Sequence, residues 1–176
     1  MIFQSTRDTK YIPAIKILYT ECFANGNSAQ YIHQKGFTRY IFDFFESGQI
    51  ILALENHEIA GALLAIPFSF DKLVPEFITD NFNTEKCLYI AELMVAEKHR
   101  KQGVGQNLLE HFEQEVLKQI EIQDVFIRVW DKNTAALNLY HKAGFKDMFT
   151  IEQRQSSADG TFTMNKIYLY KKLISK

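Results

Sequence analysis

Hydrophobic positions recur along this chain with two periods, and each change of period marks an element boundary. Residues 2–4 form a short apolar stretch that predicts a first strand. Ile12, Ile15, Leu18 and Tyr19 then fall on one face of a helix over residues 9–23. The polar run Asn25-Gly26-Asn27-Ser28 ends that helix, and the aromatic-rich residues 29–46 predict a segment helical in parts, with Gly36 as an interruption. Residues 49–54 and 58–66 flank Asn56-His57 and predict a hairpin. Residues 67–86 mix Phe68, Phe70, Val74, Phe77 and Phe82 with polar positions. A connection of that length is expected to carry function or local structure.

The second half is more regular. Residues 88–95 read as a strand, and the helix after Gly103 is expected to place Val104, Leu108, Leu109, Phe112, Val116, Leu117 and Ile120 on one side. A strand over 124–130, a helix over 133–143 stopped at Gly144, a strand over 145–154, a turn at 156–160 and a closing strand over 161–171 complete the pattern. No repeat, low-complexity tract or linker interrupts it, so residues 1–176 are expected to form a single α+β domain.

Composition narrows the partners more than the chemistry. A chain of 176 residues with 47% hydrophobic content can bury a sizeable core. Its net charge of −1 gives no electrostatic reason to expect nucleic acid or an anionic membrane. No apolar run approaches the roughly 20 residues of a spanning helix, and the first residues lack a signal peptide's apolar region, so a cytoplasmic location is expected. Cys22 and Cys87 form no CxxC pair, and His33, His57, His99, His111 and His141 show no ligand spacing. No metal is expected, and His99 reads as a solvated loop residue.

Residues 91–116 carry the most specific chemical signal. An apolar strand leads into the basic turn Arg100-Lys101-Gln102-Gly103-Val104-Gly105, and an amphipathic helix starts at the glycines. Gly103 and Gly105 permit close backbone approach, so that successive N–H groups and a helix N-terminus can converge on a pyrophosphate. Arg100 and Lys101 add formal positive charge. Further on comes Asn133, a helix of small residues through Ala136, then Tyr140 and Gly144-Phe145.

In order and spacing these two segments resemble the coenzyme-A-binding core of the GNAT superfamily, the acyl-CoA-dependent N-acyltransferases. Val95, Arg100, Gly103 and Gly105 fit its first motif; Asn133, Ala136, Tyr140, Gly144 and Phe145 fit its second. The resemblance implies a mixed, mostly antiparallel sheet flanked by helices and splayed at the strand over 88–95 to hold acetyl-CoA. It implies cofactor contacts from Arg100, Lys101, Gln102, Gly103, Val104, Gly105, Gln106 and Asn133, and from the main chain of Leu93, Met94 and Val95. The side chains of those last three read as plain core. A Rossmann-type nucleotide site fits less well, because Arg100-x-x-Gly103-x-Gly105 is not Gly-x-Gly-x-x-Gly.

Amine acylation needs an unprotonated nucleophile. An amine with a pKa of about 10.4 is neutral in only one of a few thousand molecules at neutral pH, a shortfall of about 4.6 kcal/mol that a base or a desolvating pocket can offset. Glu92, three residues before Val95, is the candidate base; a solvent-facing or ion-paired strand residue is the plainer alternative. Tyr140 is the candidate acid for the departing thiolate, where protonation is worth about 2 kcal/mol. A core tyrosine with its hydroxyl at water would have the same spacing. Asn133 also makes a good helix cap.

Some relatives that acetylate protein N-termini carry a catalytic Glu on the strand before the Asn. Arg128 stands in that stretch here, either as an exposed or ion-paired strand residue or as a site for an acidic substrate group. The expected reaction is direct acetyl transfer in a ternary complex to a primary amine, with a small-molecule acceptor ahead of a peptide and a homodimer as an open option. Phe23, Tyr31, Phe37, Tyr40, Phe42, Phe44 and Phe45 suit an apolar or cationic amine or simple core packing, and Asp43 with Glu46 suits a polyamine or solvent. A non-catalytic acyl-CoA-binding domain is the rival from another class.

Overall fold

The computed structural model describes residues 1–23, 34–119, 121–157 and 160–173. Along the chain they form β1 (Ile2–Ser5), a 3-10 turn (Thr9–Tyr11), α1 (Ile12–Phe23), α2 (Gln34–Ser47), β2 (Gln49–Glu55), β3 (Glu58–Pro67), α3 (Glu76–Asn81), β4 (Cys87–Val95), α4 (Val104–Val116), β5 (Asp124–Trp130), α5 (Thr134–Lys142), β6 (Lys146–Ser157) and β7 (Gly160–Lys172). Seven strands make one sheet in the order β1-β2-β3-β4-β5-β7-β6. Every neighbouring pair is antiparallel except β4 and β5, which run parallel. This is the mixed, mostly antiparallel sheet that the family resemblance implies, within the α+β class that the pattern predicts.

Helices cover both faces. One face packs Ile15, Leu18, Ile41 and Phe44 of α1 and α2, with Phe68 and Ile78 from the long connection. The other packs Val104, Leu108, Leu109, Phe112 and Val116 of α4 with Tyr140 of α5. Burying a large aliphatic or aromatic side chain stabilises by about 1.5–3 kcal/mol, so these two stripes fix the layers. Leu117, expected on the α4 stripe, is instead 41% exposed, because α4 ends at Val116 and the next residue turns outward. Ile120 and the predicted break at 25–28 lie outside the described residues.

The hairpin turn between β2 and β3 holds Asn56 at φ 50° and His57 at φ 69°, the paired left-handed geometry that a right-twisted two-residue hairpin demands. Gly36, the predicted interruption, lies inside α2 at φ +94°. The connection 67–86 carries local structure: 3-10 turns at Phe68–Phe70 and Thr84–Lys86 flank α3.

Two departures from a regular sheet create the site. β4 and β5 pair only over residues 87–90 and 124–127, and then diverge. From Ala91 onward one edge of β4 has no strand partner among the described residues. The second departure is a bulge: Leu64 faces Glu92 while Ala65 faces Ile90, leaving Ala91 as an extra residue. Before the bulge, Tyr89 packs towards α1 and α2, and Ile90 towards α4. Strict alternation would send Glu92 into the α4 core. Ala91 keeps the side that Tyr89 sets, and the bulge resets the phase after it, so that Met94 lies on the α1 and α2 side and Glu92 reaches α2 through Tyr40.

Candidate active site

The divergence opens a cleft of about 770 Å³ in the middle of the molecule. Glu92 and Leu93 of β4, Asn133, Ala136 and Tyr140 at α5, and Tyr40 of α2 all border it. Four of the residues singled out in the sequence, Glu92, Leu93, Asn133 and Tyr140, therefore meet in one cavity. Met94 does not; its side chain is buried in the core beside α1 and α2.

Glu92 is half-buried at the cleft wall, and the Tyr40 hydroxyl donates a 2.5 Å hydrogen bond to its Oε1. Behind Tyr40 stand Tyr19 and Phe44, with ring centroids 6.3 and 5.2 Å away. This aromatic wall displaces water from the carboxylate. Burial pushes the Glu92 carboxyl up to about 7, and the Tyr40 hydrogen bond, followed by the fields of Lys166 and Arg128, opposes the rise. An acid poised there changes protonation state near neutral pH, as a general base must. Burial, and secondarily the negative field of Glu92, drives the Tyr40 phenol well above its ordinary value, so Tyr40 remains a donor.

Tyr140 is only 6% exposed, with its ring 6.1 Å from that of Phe145, and it borders the cleft. Burial, reinforced by Glu92 and Tyr89, raises its phenol above the ordinary value and keeps the proton on the oxygen. The group can therefore donate. Asn133 caps α5, its Oδ1 accepting from the Ala136 N–H at 3.2 Å, while also facing the cleft. Capping explains its residue type without a ligand.

The glycine turn lies off the cleft, at the mouth of α4. None of Arg100, Lys101, Gln102, Gly103, Val104, Gly105 and Gln106 lines the cavity itself. Gly103 occupies the N-cap at φ +79°, Lys101 lies at φ 60°, and no side chain caps the helix. The first intrahelical donor in this turn is the Asn107 N–H to Gly103 O at 3.0 Å, so the N–H groups of Val104, Gly105 and Gln106 point out of the helix end. The Val104 side chain is core, so only its backbone can serve an anion. Gly105 has a second reason to be glycine. A Cβ there would stand 3.0 Å from Leu139 Cδ2, so its absence brings α4 close to α5. Gly61 of β3 works likewise from below, where a Cβ would meet Met94 O at 2.9 Å and Val104 Cγ1 at 3.1 Å. Arg100 folds back, its Nε donating to Val95 O at 3.2 Å, with the residue still exposed.

Arg128 is not an exposed strand residue. Its side chain is 12% exposed and paired with Asp71, Nη1 lying 3.1 Å from Oδ1, and it donates to the Tyr168 hydroxyl at 2.7 Å. Tyr168 in turn donates to Asp71 Oδ2 at 2.6 Å. Asp71 and Lys166 border the cleft and the buried Tyr168 holds Asp71 behind it; sequence reasoning misses all three, and it singles out Tyr40 only as one of an aromatic series. They come from α2, β7 and the 67–86 connection, brought together by topology, and no local motif signals them.

One other expectation needs correction. His99 is buried rather than solvated, with Nδ1 3.5 Å from Glu55 Oε2. Asp43 and Glu46 are not a free acidic pair, because Arg39 bridges both at 2.7 Å. Cys22 borders the cleft and Cys87 is buried. Burial raises both thiols, Cys87 to about 12, which disfavours the thiolate form of either. Among the described residues no group of His, Cys, Asp and Glu could hold a metal ion, and no helix is long and apolar enough to cross a membrane.

Comparison with known proteins bears on the same segments. "Probable N-acetyltransferase san" of Drosophila melanogaster is 27% identical over 116 residues, 65% of this chain and 56% of that protein. The chain spans about half or less of the length of the curated relatives it matches. Among solved structures, the ribosomal-protein-alanine N-acetyltransferase of Brucella melitensis superposes with a TM-score of 0.74 at 16% identity, over 98% of this chain and 100% of that one. The yncA protein of Salmonella typhimurium, solved with its cofactor acetyl-CoA, gives a TM-score of 0.72 at 16% identity over 100% and 95%. At those identities the superpositions establish the fold. The acetyltransferase (GNAT) family itself matches residues 12–145, from α1 through the end of α5, and the chain belongs to that family.

Proposed function

We propose that this chain is an acetyl-CoA-dependent N-acetyltransferase that transfers the acetyl group directly to a primary amine of a small molecule. The observation that carries this reading is the meeting of Glu92 and Tyr140 in one cleft, where the unpaired edge of β4 ends near the uncapped start of α4. The donor set fits the cofactor: outward N–H groups at residues 104–106, with Arg100 and Lys101 beside them, suit a pyrophosphate, and the free edge at Leu93 to Val95 suits an amide-bearing arm. Acetyl-CoA, when bound, supplies the activated acyl group and a thiol leaving group. Asn133 faces the same space.

The chain's residues handle the protons. Glu92, with its carboxyl at about 7, accepts the proton that the amine sheds, directly or through water. Tyr140 holds its proton at neutral pH and is the group placed to return one to the departing sulfur. Neither cysteine is activated as a nucleophile, in keeping with direct transfer.

A peptide acceptor is the second reading. Phe70 and Leu73, 48% and 46% exposed, form an apolar rim at the cleft, and one structural neighbour is a ribosomal-protein-alanine acetyltransferase. The test is a screen of polyamines, aminoglycosides, amino acids, aryl amines and peptides, reading thiol release and product mass. Small amines are expected to be acetylated. Efficient acetylation of peptides alone would replace the acceptor assignment, and tight acetyl-CoA binding with no product would favour a non-catalytic binding domain.

A further inference from the structure

The charged groups bordering the cleft are Glu92, Asp43 and Asp71 on the acidic side and Lys72, Arg128 and Lys166 on the basic side. Most are accounted for within the fold. Asp43 is bridged by Arg39, Asp71 by Arg128 and Tyr168, and Glu92 by Tyr40, while Lys72 is exposed at the rim. Lys166 is different. It stands on β7 directly across from Trp130 of β5, half-buried in the wall, with no carboxylate within 4.0 Å among the described residues.

Its position on the strand explains why it faces the cleft. Tyr168 and Tyr170, two and four residues on, turn to the same face and pack in the core, so Lys166 continues that row to where the sheet opens. Arg128, in register with Tyr168, lies one step back on the neighbouring strand. Burial, together with the positive field of Arg128, lowers the Lys166 ammonium below its ordinary value, and the Glu92 carboxylate opposes this. An ammonium half-removed from water with no close counter-charge is costly, and an anionic group of a ligand would offset that cost.

We propose that Lys166 binds an anionic substituent, a carboxylate or phosphate, carried by the acceptor amine. The acceptor class is thus an amine bearing its own negative charge. This rests on the acetyltransferase reading above. The amine would lie towards Glu92 and the anion towards Lys166, whereas a polyamine would bring further positive charge against Lys166 and Arg128.

The experiment uses the full chain and a matched set: an alkylamine, the amino acid of the same skeleton, the corresponding aminophosphonate and a diamine. Thiol release gives kcat/KM for each, and calorimetry in the presence of coenzyme A gives binding without turnover. Wild type is expected to favour the two anionic amines by at least tenfold over the diamine. Lys166→Met should cut the anionic-to-alkylamine ratio by about tenfold to a hundredfold, mainly through KM, and Lys166→Glu should invert the preference towards the diamine. The carboxylate and phosphonate arms separate the two anion types. Equal use of the diamine by wild type, or an unchanged ratio in Lys166→Met, would overturn the proposal. If no amine is turned over, the acetyl-transfer reading fails separately, and the calorimetric ratio still decides the anion site.

Discussion

Replacing Glu92 by Gln removes one ionisable proton from a desolvated wall while leaving the side chain's shape almost intact. The carboxyl stands at about 7 in the fold against 4.5 in the unfolded chain, so the folded state binds the proton more tightly. Below about pH 4.5 both states are protonated, and the group's contribution is at its most favourable. As pH rises, the unfolded chain ionises first, and that contribution is lost until the folded carboxyl has also ionised, above about pH 7. The rise from 4.5 to about 7 corresponds to about 3 kcal/mol, and screening by solvent in the open cleft brings the expectation nearer to about 2 kcal/mol. Urea denaturation of wild type and Glu92→Gln across about pH 5 to about pH 8 measures it, because all other titrations cancel in the difference. The variant should gain about 2 kcal/mol on wild type over that range. In the same buffers wild-type kcat/KM should rise through an acid limb near pH 7, a limb the variant lacks. A stability difference flat with pH would refute the perturbed carboxyl. A difference that moves while both activity profiles keep the limb would leave Glu92 a buried acid with no part in proton transfer.

Tyr140→Phe should keep acetyl-CoA affinity by calorimetry and lower kcat by about tenfold to a thousandfold where chemistry limits the rate. Gly103→Ala should cost about 1 kcal/mol, because φ +79° strains any residue with a Cβ, and should also weaken coenzyme A binding. Gly105→Val should lose both stability and cofactor affinity, since its branched side chain must displace Leu139; unchanged affinity in a folded variant would remove the phosphate-turn assignment. Arg128→Met strands the buried Asp71 carboxylate and should cost about 3–5 kcal/mol by denaturant titration, with Asp71→Asn in the same chain restoring part of it.

The layers and most strands were legible because both periods run cleanly through the elements that build the core. The α4 stripe from Val104 to Val116 is one case, and the Asn56-His57 hairpin is another. The glycine turn was legible because φ > 0 and close approach restrict residue type, which leaves a mark in the sequence. The bulge at Ala91 left none. Residues 88–95 are apolar throughout except for Glu92, so a one-residue change of phase does not show, yet this change decides which wall Glu92 joins. The Asp71, Arg128 and Tyr168 network spans separations of 57 and 40 residues, and its members have ordinary surroundings in the chain. Only the packing of the long connection over β5 and β7 unites them. Leu117 and His99 escape the pattern for a related reason: burial at an element's end depends on where the chain turns, which a periodic pattern does not encode.

The short parallel pairing of β4 with β5 also has a mechanical side. Four residue pairs stitch a four-stranded half-sheet, β1 to β4, to a three-stranded one, β5, β7 and β6. Beyond that seam the halves are joined by the helix-covered cores on the two faces and by whatever fills the gap. An extended ligand lying along the bare edge of β4 would act as a removable rung, stiffening one half against the other before a second molecule arrives. Two ligands sharing such a gap should each raise the other's affinity by the same factor. The sheet's topology thus makes the gap a point of mechanical and thermodynamic coupling, whichever ligand enters first.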